Sequence, residues 1–136
     1  MEQHYKFSDS LFLEKFEDCT FPPDLFTHEA HLRLAWINLN KYGTKKAIKN
    51  VCDQIERFDK VNGDGTKYNK TITVASIYIM KHFMKQSAAN NFETLLKEFP
   101  KLKHNFLDLI RAHYEIDIFT EEIAKKQYLR PDKISF

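Results

Sequence analysis

The residues from Thr27 to Tyr42 specify a helix with both ends marked, and that helix limits what the rest of the chain can be. Pro22 and Pro23 bar a helix from running in from upstream. Thr27 is a good N-cap, because its hydroxyl can accept from a free N–H of the first turn. Gly43 follows the last residue as the natural C′ position. At about 100° per residue, His28, His31, Leu32, Ala35, Leu39 and Tyr42 fall on one face, which Leu34 and Trp36 widen. Glu29, Arg33, Asn40 and Lys41 fall on the opposite stripe, with Glu29 placed where the helix dipole favours an anion. Both histidines are therefore expected to point toward the core. A helix N-terminus disfavours imidazolium, so both are expected to be neutral near pH 7.

Helical periodicity recurs along the whole chain. Residues 8–17 form a short amphipathic segment that Ser8 can cap, with Phe12, Leu13 and Phe16 on its apolar side. Thr44 is read as the cap of a third helix through about residue 58, whose apolar set is Ala47, Ile48, Val51, Cys52, Ile55 and Phe58. Asn62-Gly63-Asp64-Gly65 is a turn. Counted from Asp59 it fails as a calcium-binding EF-hand loop, because the sixth position is Asp64 and the twelfth is Lys70. Length favours a helix over about 70–88 despite its β-branched content, and its apolar residues lie nearly all round. Asn90 or Asn91 caps a helix over 92–99, a further helix covers about 102–114, and a last short one covers about 121–127.

These patterns predict an all-α, single-domain protein, an orthogonal or irregular bundle of five to seven helices. With 136 residues, the chain is long enough for a sizeable core. Twelve Phe supply the material to bury, and only three Gly argue against a turn-rich β fold. The net charge of +2 and the interleaving of Lys with acidic residues imply neither nucleic acid nor an anionic membrane as partner. No apolar run approaches the ~20 residues of a membrane span. The N-terminal residues lack the apolar core of a signal peptide. Cys19 and Cys52 have no CxxC partner, so both are expected to be free thiols in a cytoplasmic protein.

His28 and His31 are the leading candidates for chemistry, since an i, i+3 pair shares one helix face and can converge on one group. Tyr68, Asn69, Thr71 and His82 are the further candidates for lining a pocket around them. Two histidines supply two nitrogens, whereas a catalytic zinc site takes about three protein ligands. No metal is therefore expected at His28 and His31 unless a third ligand, such as His82 or His113, joins them. There is no GxSxG, no glycine-rich phosphate loop and no HExxH, so no motif names a cofactor.

The stretch Phe26-Thr27-His28-Glu29-Ala30-His31-Leu32-Arg33-Leu34-Ala35-Trp36 resembles the F-T-H-x-x-H-[LV]-R-[LV]-A-W signature of a family of short, uncharacterised bacterial proteins. Lys67-Tyr68-Asn69-Lys70-Thr71-Ile72-Thr73 is similar to that family's K-Y-H-E-T-[IL]-T element, and the segment from Thr120 to Asp132 looks like its closing helix and L-x-P-D tail. The resemblance implies a fold and a site position more than a reaction. Where the family carries His and Glu in the second motif, this chain has Asn69 and Lys70. Two groups of a plausible metal or acid–base cluster are thus lost, which weakens the case for metal here. The expectation is a small-molecule-binding protein, or an enzyme, with a pocket around His28 and His31. The alternative is a non-catalytic structural or protein-interaction domain in which both histidines are packing residues.

Overall fold

The computed structural model describes residues 1–136. The chain is all-α and has no β-strand. Its helices are α1 (Asp9–Glu17), α2 (His28–Tyr42), α3 (Thr44–Asn62), α4 (Lys70–Lys85), α5 (Phe92–Glu98), α6 (Lys101–His104), α7 (Phe106–Arg111) and α8 (Glu122–Lys126). Five of these have seven residues or more. Short 3-10 turns occupy Gln3–Lys6 and Pro23–Leu25. No helix is long and apolar enough to cross a membrane. The chain divides into two compact units, Met1–Tyr68 and Asn69–Phe136.

In the first unit α2 and α3 pack against each other, and α1 packs on both. Ser8 caps α1 by accepting from Leu11 N, and Thr27 caps α2 by accepting from Ala30 N. Phe12, Phe16, Phe21, Phe26 and Phe58 form a continuous aromatic cluster, with Phe16 and Phe21 stacked at 4.5 Å between ring centroids. Gly43 alone joins α2 to α3, and its φ of +81° with ψ of 177° is a conformation that glycine adopts without penalty. Gly43, and not Thr44, is therefore the cap residue of α3, with no side-chain capping bond. α3 also runs on to Asn62, one turn beyond its expected end. The loop after it is closed by buried Asp59, whose carboxylate accepts from Lys67 N and Tyr68 N, each at 2.9 Å.

α2 is buried nearly all round. Glu29, Ala30 and the eight residues from Leu32 to Leu39 are all buried, while His28 is exposed. The stripe read from sequence as the solvent side thus includes the buried Glu29 and Arg33, and His28 does not face the core. The reason lies in Ala30 and Ile37, which lie three and four positions from Arg33 on the same side of the helix and carry it into the interior.

In the second unit α4 packs on α7 and α8, and α6 packs on α7. Asn69 caps α4, accepting from Ile72 N at 2.9 Å, and its amide donates to Ile118 O at 2.8 Å. Asn91 caps α5 by accepting from Thr94 N. The helix expected over 102–114 is two pieces, α6 and α7, because Asn105 leaves helical geometry at φ −132°, ψ 30°. The extended tail is held by Asp132, which accepts from Glu115 N and Ile116 N, and by Leu129 O, which accepts from the Tyr114 hydroxyl.

Candidate functional site

The first turn of α2 gathers the polar groups of the first unit. Thr27 starts it with a hydroxyl that accepts from Ala30 N and donates to the Glu2 carboxylate. One turn on, His31 lies flat against Phe26, with ring centroids 3.6 Å apart and planes 11° apart. His31 Nδ1 is 2.7 Å from the Thr27 carbonyl oxygen. A carbonyl only accepts, so Nδ1 carries the proton and Nε2 keeps a lone pair. Burial pushes the His31 pKa down to about 4, against a smaller opposing effect from the Thr27 carbonyl. His31 is therefore a neutral imidazole at physiological pH, held in one tautomer. Of the two histidines expected to face inward, His31 is half-buried and His28 is exposed.

Beside this turn lies a second group of residues, which periodicity in α2 alone did not suggest. His4 is completely buried, and Glu29 and Arg33 are each 5% exposed. His4 Nε2 is 3.3 Å from Glu2 Oε1 and 3.7 Å from Glu29 Oε2, and it makes no hydrogen bond. Arg33 holds the chain that carries His4. Its Nη1 donates to His4 O and its Nη2 to Phe7 O, both at 2.7 Å, and Nη2 also pairs with Asp9 at 2.9 Å. Burial first, and the Arg33 charge second, lower the His4 pKa from its ordinary value. One donor atom each from Glu2, His4 and Glu29 lie within 4.8 Å of one another, the spacing of a metal-ligand set.

The other sequence candidates have identifiable duties of their own. Tyr68, the last residue of the first unit, shares a hydrogen bond with Cys52, and burial followed by that bond raises its pKa. Asn69 is occupied as the α4 cap. The buried Thr71 hydroxyl donates to Gln127 O at 2.9 Å and accepts from Leu129 N at 3.0 Å. His82 is exposed and bonds Gln86 at 2.7 Å. His113 uses Nδ1 on Ile134 O. Asn69, Thr71, His82 and His113 all belong to the second unit. Cys19 and Cys52 are not joined in a disulfide.

A scan against protein-family models finds no match for this chain, and searches of curated proteins and of solved structures find none either.

Proposed function

We propose that this chain binds a small polar molecule at the first turn of α2, with His31 as the group that accepts a hydrogen bond from it. The observation that carries the reading is the 2.7 Å bond from His31 Nδ1 to the Thr27 carbonyl, which fixes the tautomer and leaves Nε2 to accept. A neutral imidazole with a fixed lone pair serves equally as a hydrogen-bond acceptor and as a general base, so an enzymatic role extends the same reading. Exposed His28 stands one turn before it, where a ligand can reach both rings. The sequence likeness at Phe26–Trp36 marks this same turn. Two cysteines outside any disulfide fit a cytoplasmic protein.

One observation favours a second reading. The stack of His31 on Phe26 is the contact of a packing residue, and a purely structural domain needs nothing more. Thermal-shift screening against polar metabolites, run in parallel on the wild type and on His31→Gln, separates the two. The binding reading expects compounds that raise the wild-type Tm and leave the variant unmoved. Compounds that stabilise both proteins equally place the ligand elsewhere. A screen in which no compound stabilises the wild type supports the packing reading.

A further inference from the structure

We propose that Glu2, His4 and Glu29 form a binding site for one first-row divalent metal ion, distinct from the His28–His31 pair. The group is more than a cluster of acids, because its centre is a histidine with no exposure whose Nε2 makes no hydrogen bond and faces two carboxylate oxygens. Buried polar atoms without a partner are rare in folded chains, and each one calls for a physical cause. Metal–nitrogen and metal–oxygen bonds of about 2.1 Å in tetrahedral geometry set ligand atoms about 3.4 Å apart. The two separations measured from His4 Nε2, 3.3 and 3.7 Å, bracket that value.

The donor set also selects the ion. One imidazole and two carboxylates form a mixed nitrogen–oxygen site, which suits Zn²⁺, Mn²⁺ or Fe²⁺ better than the all-oxygen preference of Ca²⁺ or the thiolate preference of Cu⁺. Two carboxylates and a neutral imidazole together match the charge of one divalent ion. The residues around the site hold it in place. Arg33 fixes the His4 main chain from α2, and the Thr27 hydroxyl orients the Glu2 carboxylate as an outer-shell donor.

Arg33 also sets a limit on affinity. Its Nη1 lies 3.4 Å from His4 Nδ1, and that nitrogen must carry the proton when Nε2 binds a metal. Two donors then face each other, so the site is weaker than a structural zinc centre and fills only when metal is supplied.

Isothermal titration of the apo protein with Zn²⁺ tests this. The expected result is one ion per chain, with affinity reduced at least about tenfold in Glu2→Gln and unchanged in His28→Ala. A second measurement needs no variant. Mn²⁺ added to the ¹⁵N-labelled wild type should broaden the amide signals of residues 2–6 and 28–31 before any others. Absence of binding in the wild type, equal binding in Glu2→Gln, or broadening centred outside those residues would overturn the proposal.

Discussion

Arg33 Nη1 lies 2.7 Å from the carbonyl oxygen of His4, and this bond fastens the N-terminal turn to the middle of α2. The same guanidinium takes Phe7 O and Asp9, so one side chain satisfies three acceptors from residues 24 to 29 positions away. Its planar fork makes this possible, where a lysine would supply a single point charge. Arg33→Met leaves Phe7 O without a partner, takes one of two donors from His4 O, which keeps Phe7 N, and should cost about 2–4 kcal/mol in urea unfolding. Asp9 is 60% exposed, so Asp9→Asn should cost less than about 1 kcal/mol. Equal losses in the two variants would mean that the main-chain bonds contribute nothing.

Stability should fall as the solution is acidified from near neutrality. The folded-state pKa of His31 is lowered to about 4 from 6.5. Between those values the unfolded chain binds a proton at this position that the folded chain does not. The folded state therefore loses ground as pH falls through that window, by at most about 3 kcal/mol from this residue, and the loss levels off below it. His4, lowered by burial and then by Arg33, acts in the same direction. Denaturant unfolding at a series of pH values should show a shallower acid slope in His31→Gln than in the wild type. An unchanged slope would mean that His31 titrates alike in both states.

The local features of this fold were legible because they depend on neighbours in sequence. Ser8, Thr27, Asn69 and Asn91 each cap the helix that follows them, and each is a residue type whose side chain suits that task. The all-α class and the apolar stripe of α3 were legible for the same reason. Burial of Glu29 and Arg33 was not, since two charges dominate a stripe that Ala30 and Ile37 share with them. Those two apolar residues, with Leu34 next to them, are the signal that would have shown α2 buried on this side. His4 carried no such signal. Its burial arises from Arg33 and Glu29, far along the chain, and from Phe12, which meets its ring at 6.0 Å.

Gly43 should not tolerate a side chain. A Cβ there would meet no atom within 4 Å, so the penalty comes from the backbone alone. Its φ and ψ lie in a region that is almost restricted to glycine, and Gly43→Ala should lower stability by about 1–3 kcal/mol. An unchanged denaturation midpoint would show that the α2–α3 joint relaxes without cost.

Thr71 should behave as a structural residue. Thr71→Val keeps the shape but leaves Gln127 O and Leu129 N without their partner, at a cost of about 1–3 kcal/mol. Amide exchange at Leu129 should accelerate in the variant. A variant of wild-type stability with unchanged exchange would free the Thr71 hydroxyl for a role in ligand binding.

The protonation pattern of His31 tests the functional account most directly. Long-range ¹H–¹⁵N correlation spectra of the histidine rings at pH 7 report which nitrogen carries the proton, in the unmodified protein and without a ligand. The account predicts a neutral ring, with the proton on Nδ1 toward the Thr27 carbonyl and an unprotonated Nε2. An imidazolium, or a neutral ring with its proton on Nε2, would contradict it.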